Sequence, residues 1–150
     1  MGETWLQLLP VDPAFQPDPL QRGRALNAFR RLVPEAWEAA ERDEGAIVFV
    51  DAGENFESIH CHVCTAEIPL GWWRGAIDVA WSTRFEDLAI TTPCCTQPAS
   101  LNDLDYRWPQ GFARWYLRAA SPNRVKLSPD EIASVESALG CRVREVWTHH

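Results

Sequence analysis

The stretch His60-Cys61-His62-Val63-Cys64 places four possible metal ligands within five residues, and a second pair, Cys94-Cys95, follows in "TTPCCT". Thiolate sulfur and imidazole nitrogen are preferred donors of a four-coordinate structural zinc site. The C-x2-C spacing of Cys61 and Cys64 suits a tight turn at the end of a strand, where both sulfurs aim at one point. Adjacent cysteines on an extended strand point to opposite faces, so Cys94 and Cys95 can share an ion only if the backbone turns there. Pro93, immediately before them, favours that turn. Two ligand sets follow: Cys61, Cys64, Cys94 and Cys95 together, or three of these with His60 or His62 as a substitute. His60 and His62 alternate with Cys61, and extended backbone would aim them away from its sulfur, which favours the all-cysteine set. Four thiolates leave no coordination position for water, so an ion held this way is a structural zinc and makes no hydrolytic nucleophile. The competing readings are inert or oxidisable thiols, and a redox C-x2-C. The second lacks its usual setting, a helix beginning at the first cysteine.

The rest of the chain bounds what such a site can serve. It has 150 residues, 46% of them hydrophobic and eight of them tryptophan, enough for one domain with an ordinary core. The net charge of −7 repels phosphate backbones, which speaks against a nucleic-acid partner. No apolar run approaches the ~20 residues that cross a bilayer, and the start "MGETWLQLLPVDPAF" does not read as a signal peptide. Leu6 stands where a myristoylation signal would have Ser or Thr. A cytoplasmic location is expected, and in that reducing setting an odd count of five cysteines fits metal ligation better than a disulfide framework.

Catalytic signatures are missing: there is no G-x-S-x-G, G-x-G-x-x-G, Walker loop or H-E-x-x-H. A zinc-deaminase reading fails because no Glu follows the histidines at the required place. Asp103 and Asp105 alternate in "LNDLDY" and read as turn or capping residues before they read as a carboxylate pair.

The elements that must position the cysteines follow from local pattern. "TWLQLLPV" (4–11) is a short apolar strand, followed by a proline-rich loop. Asp18 and Pro19 start a helix over about 19–32, with Leu26, Phe29 and Val33 on its apolar stripe. The acidic run 34–45 suggests a short helix ending at Gly45. "AIVFVD" (46–51) is a buried strand, "AGEN" a turn, and "FESIHC" (56–61) the returning arm of a hairpin that delivers the chain into the first cysteine pair. A helix over 69–85 and a strand over 87–93 lead to the second pair. The segment 100–109 reads as irregular or as a short hairpin arm. Phe112, Trp115, Tyr116 and Ala119 have the spacing of a helix that stops before Pro122. Ser128 and Glu131 form a capping box with Pro129 at the first helical position, Gly140 ends that helix, and 141–149 is a final strand. Cys141 reads as a core residue. Together these predict a single α+β domain over 1–150. Strands near 5–10, 46–51 and 142–148 should share a mainly antiparallel sheet, with the helices at 19–32 and 129–139 packed on it. A zinc-ribbon-like element lies at about 56–98.

The segments "CHVCTAE", "TTPCCTQPASLNDLDYRWPQGFARWYL" and "LGCRVREVWTHH" resemble a family of small bacterial proteins of unassigned function. Its pattern is CPxCG, then PCCG, then SLNDLxYxWPxGFAR, and then a tryptophan-containing last strand. The resemblance covers roughly residues 46–150 and implies a zinc-ribbon-like site. This chain departs from it at His62, which replaces a proline, and at Thr65 and Thr96, which replace the glycines that let the knuckle backbone turn toward the sulfurs.

With no catalytic set, the expected role is binding another protein. Acidic surface steers a basic partner, and exposed tryptophan supplies an anchor. Trp72 adjoins Trp73, so the two cannot both face one core. Glu38, Glu41, Asp43 and Trp72 are the candidate contact residues. An immunity- or antitoxin-type protein that neutralises a bacterial toxin fits this description, and the alternative is a metal-dependent or thiol-based enzyme of unknown substrate.

Overall fold

Residues 111–120, GFARWYLRAA, are buried at eight of ten positions, and the chain arranges itself around them. The computed structural model describes residues 2–150. In order they form β1 (Thr4–Pro10), α1 (Pro19–Leu32), β2 (Glu38–Val50), β3 (Ser58–His60), α2 (Leu70–Trp81), β4 (Ala89–Thr91), β5 (Pro98–Ser100), a 3-10 turn (Leu101–Asp103), β6 (Asp105–Arg107), β7 (Gly111–Ala120), α3 (Pro129–Leu139) and β8 (Val143–His149). The main sheet runs β2-β7-β1-β8 with every pairing antiparallel. The strands expected near 5–10, 46–51 and 142–148 therefore do share one antiparallel sheet, and the fold is α+β.

Segment 112–121 is not a helix. As β7 it lies between β1 and β2 and is covered on both faces, so its apolar residues run almost without interruption. A doubly buried strand loses the alternation that marks a strand in sequence, and its apolar positions then coincide with a helical stripe. Residues 34–45 are not a helix either. From Glu38 onward they form the first half of β2, an edge strand whose acidic side chains are exposed or half-buried. The register shifts between Asp43 and Val48, where Gly45 adopts φ +72°, so one long strand had the look of two elements.

The hairpin expected between 46–51 and 56–61 is also absent. Residues after β2 cross to β8 instead, where Glu54 N–H donates to the His149 carbonyl at 2.8 Å. β3 pairs with β6, Ile59 opposite Tyr106. The strand expected over 87–93 shortens to β4 and pairs with β5.

Two large cores flank the sheet, and a smaller cluster joins Leu9, Val50, Ala113, Tyr116 and Val146 of its strands. On one face Leu6, Leu8, Trp115 and Leu117 meet Phe29 of α1 and Val135 and Leu139 of α3, and Cys141 packs half-buried against this cluster. On the other, Phe112 joins Ile47, Ile59, Cys61, Leu88, Leu101 and Tyr106, so the cysteine-bearing segments share a core with the central strand. The segment SLNDLDYRWPQG makes the connection. Asn102 donates to the Val11 carbonyl (2.8 Å), and its Oδ1 accepts from Phe112 N–H (3.0 Å) and from Arg144 (3.2 Å). Gln110 accepts from Ala52 N–H at 2.9 Å, and Tyr106 accepts from the Trp73 indole at 3.0 Å. A Cβ at Gly111 would lie 2.6 Å from the Arg144 guanidinium and 3.1 Å from Asn102 Oδ1, so a side chain there would displace this network.

Both well-capped helices begin as expected. Asp18 and Gln21 form a reciprocal box at the start of α1, and Ser128 and Glu131 do so at α3. Glu131 also takes both guanidinium nitrogens of Arg124, each at 2.6 Å. Those bonds, and the Ser128 N–H, hold its carboxyl at about 2 against an ordinary 4.5. A depressed folded-state pKa stabilises the fold fully above the unfolded value and progressively less as pH falls through the folded one. Urea denaturation should therefore show wild type more stable than Glu131→Gln at neutral pH, with the difference shrinking below pH 4.5 and vanishing near pH 2.

Candidate metal centre

Two short antiparallel ladders, β3–β6 and β4–β5, each end in a tight turn that carries two of the cysteines. After β3, Cys61 N–H donates to the Ala66 carbonyl (2.8 Å) and Thr65 N–H to that of Cys61 (3.0 Å). After β4, Thr92 N–H donates to the Gln97 carbonyl (2.9 Å) and Thr96 N–H to that of Thr92 (3.0 Å). The two turns are equivalent bond for bond. Cys61 corresponds to Thr92, Val63 to Cys94, and Cys64 to Cys95.

Sγ atoms of Cys61, Cys64, Cys94 and Cys95 all lie within 4.8 Å of one another, with Cys64–Cys94 at 3.3 Å and Cys61–Cys95 at 3.8 Å. Sulfurs at the corners of a tetrahedron with metal–sulfur bonds of about 2.3 Å would be separated by roughly 3.8 Å. The four cysteines can thus hold a metal ion. Backbone turning at Pro93, Cys94 and Cys95 resolves the problem that neighbouring residues face opposite ways.

Histidine does not join the cluster. His60 bonds through Nδ1 to the Thr65 carbonyl (3.1 Å) and through Nε2 to the Ser58 hydroxyl (3.1 Å). Since a carbonyl only accepts, Nδ1 carries a proton and donates to it. This ring braces the first knuckle from outside, while His62 is exposed on its tip.

Thr65 and Thr96 adopt φ 66° and 54°, the left-handed region that a glycine would enter without strain. Their hydroxyls donate back to the carbonyls of Cys64 (2.6 Å) and Cys95 (2.7 Å). The knuckles therefore form with threonine in place of glycine.

Protons are shared unevenly in the sulfur cluster. Backbone N–H groups of Cys64 and Val63, against the effect of burial, hold the Cys61 thiol down to about 6. Desolvation and bonds to the other sulfurs push Cys94 up to about 12. Four thiolates packed this closely cannot all be charged without a cation among them.

Thr92 escaped the sequence reading. It is 1% exposed, receives Gln97 N–H at 2.9 Å and places its hydroxyl 3.2 Å from Cys95 Sγ. T-x2-C at 92–95 repeats C-x2-C at 61–64 with one ligand exchanged, a signal present in the sequence but readable only once the turns are superposed. Asp105 pairs with Arg107 at 3.0 Å.

The candidate contact residues lie elsewhere. Glu41 and Asp43 are engaged by Arg22 of α1 at 3.3 and 3.4 Å, whereas Glu38 is exposed with no ion pair among the described residues. Trp72 is half-buried against the second core and lines a groove of about 570 Å³ with Gly71, Gly75 and Ile90. Trp37, between Glu35 and Glu38, is 80% exposed and is the most accessible large aromatic residue. Among the described residues no helix is long and apolar enough to cross a membrane. Compared with known protein families, curated proteins and solved structures, the chain matches none.

Both Thr65→Gly and Thr65→Val lose the hydroxyl bond to the Cys64 carbonyl, and only glycine relieves the left-handed strain, which costs an L-residue about 1 kcal/mol. Thr65→Val should therefore lower stability, and Thr65→Gly should be the more stable of the two variants. Urea midpoints of the two variants are the measurement.

Proposed function

We propose that this chain is a non-catalytic protein-binding domain in which Cys61, Cys64, Cys94 and Cys95 hold a structural zinc ion. The observation that carries the metal assignment is the convergence of four sulfurs within 4.8 Å of one another, from turns that have no backbone hydrogen bond to one another among the described residues. An all-sulfur donor set selects a thiophilic ion, and zinc accepts it without geometric preference. Four protein ligands fill the tetrahedron, so the ion's role is to join the two knuckles. Binding contributes directly to folding free energy. Clustered thiols of this kind suit a reducing cytoplasm.

The binding half of the proposal rests on charge and aromatic exposure. A net charge of −7 favours encounter with a basic protein. With Glu41 and Asp43 already paired to Arg22, the surface best suited to contact is Trp37 with Glu35 and Glu38. Tryptophan is enriched at interface hot spots, and its flanking carboxylates complement a cationic partner. A toxin neutralised by an immunity-type protein is a partner of this chemistry.

Elemental analysis of freshly purified protein should find one zinc per chain. Chelation should lower the melting temperature, and Cys64→Ser should reproduce that loss, whereas metal-free protein with an unchanged melting temperature would refute the assignment. For the partner, co-purification from the native host should recover a basic protein in stoichiometric amount. Its association rate should fall steeply with salt, and Trp37→Ala with Glu38→Lys should abolish capture while leaving the melting temperature unchanged. Recovery of no partner, together with turnover of a small molecule by the purified protein, would replace the binding proposal with an enzymatic one.

A further inference from the structure

The four sulfurs are not equivalent, and the difference follows from the mismatch between the two knuckles. In the first, the cysteine at the start of the turn, Cys61, is buried. Its counterpart in the second is Thr92, and the ligand appears two residues later as Cys94, at the position matching the exposed Val63. A ligand is thereby moved from the interior to the solvent side, where its Sγ lies 3.3 Å from that of Cys64, which is also exposed.

Hydrogen bonding divides the sulfurs in the same way. Val63 N–H donates to Cys61 Sγ at 3.4 Å, and the Thr92 hydroxyl lies 3.2 Å from Cys95 Sγ. Among the described residues neither Cys64 Sγ nor Cys94 Sγ receives a donor other than its thiol neighbour. A donor on sulfur withdraws electron density and lowers nucleophilicity, and burial blocks an incoming oxidant. Cys61 has both protections, Cys95 has the hydroxyl contact and is half-buried, and the outer pair has neither.

We propose that Cys64 and Cys94 are a redox modification site: a peroxide joins them in a disulfide and so releases the metal. The metal-release half rests on the zinc assignment above, whereas the thiol chemistry of the pair does not. In the first step the Cys64 thiolate attacks the O–O bond of hydrogen peroxide, forming a sulfenic acid and expelling hydroxide. The Cys94 thiol, already in contact, gives up its proton and attacks that sulfur, forming the S–S bond and expelling hydroxide, which takes the proton as water. One thiolate, one thiol and one peroxide thus become one disulfide, one hydroxide and one water, with two electrons passing from sulfur to oxygen. The ion keeps only Cys61 and Cys95 and is lost, and a thiol reductant reverses the change.

The test is to treat reduced, metal-loaded protein with hydrogen peroxide, following metal release with a chromogenic chelator and mapping disulfides by peptide mass spectrometry. Release of one ion for each Cys64–Cys94 disulfide, with Cys61 and Cys95 still alkylatable, is the expected result, and a thiol reductant plus zinc should restore the starting state. First formation of a bridge involving Cys61 or Cys95, or sulfinic acid without a bridge, would overturn the proposal. So would metal loss with all thiols intact. Replacing Thr92 by Val removes the donor from Cys95 without touching a ligand, and it should make the inner pair measurably faster to alkylate and oxidise. An unchanged rate there would overturn the protective role of that hydroxyl. If reduced protein carries no metal, the zinc assignment fails, and the disulfide map still decides whether Cys64 and Cys94 are the reactive pair.

Discussion

Like charges repel, and four thiolates inside a sphere a few ångströms across are an extreme case. The cluster formed by Cys61, Cys64, Cys94 and Cys95 can keep its geometry by retaining protons or by enclosing a cation. The opposite displacements of Cys61 and Cys94 express the first solution, one thiol easily ionised and another held protonated. A cation provides the second, and it does so at the place where the architecture is otherwise thinnest. β3–β6 and β4–β5 are two-stranded ladders of three residues each. Ladders of that length are marginal alone and need packing or a cross-link to persist.

Packing comes from β7. Phe112 on one of its faces belongs to the core that contains Cys61, and Trp115 and Leu117 on the other belong to the core beneath α1 and α3. The polar residues of SLNDLDYRWPQG join the cysteine-bearing half to the sheet: Asn102 reaches Val11 and β7, Gln110 reaches Ala52, and Tyr106 meets Trp73. Asp103 and Asp105 of this segment are exposed, and its buried residues Asn102, Tyr106 and Gln110 are connectors. Each satisfies backbone groups that would be costly to leave unpaired.

Surface chemistry is organised separately from the sulfur centre. Arg22 of α1 ties down Glu41 and Asp43, so the acidity of β2 is partly internal to the fold. Trp37, just before β2, has no comparable anchor and remains 80% exposed beside Glu35 and Glu38. A run of charge in sequence counts side chains, whereas the field a partner meets depends on which of them already have a counter-charge.

Local signals were legible wherever one stretch of chain decides the outcome. The capping boxes at Asp18 and Ser128, the left-handed stop at Gly140, the apolar strands β1 and β8 and the all-cysteine grouping could all be read from types and spacing, because their partners lie within a few residues or their chemistry admits few alternatives. Four features belonged to tertiary structure alone. β7 passes for a helix because burial on both faces erases the two-residue alternation, and only its place between β1 and β2 supplies that burial. β2 hides in an acidic run because an edge strand can leave its charges in water, and β3 turns away from β2 because its hydrogen-bond partner, β6, arrives more than forty residues later. Thr92 takes the place of a ligand only when two distant turns are folded against each other. Sequence specifies what each residue can bond, and the fold decides which of those bonds are within reach.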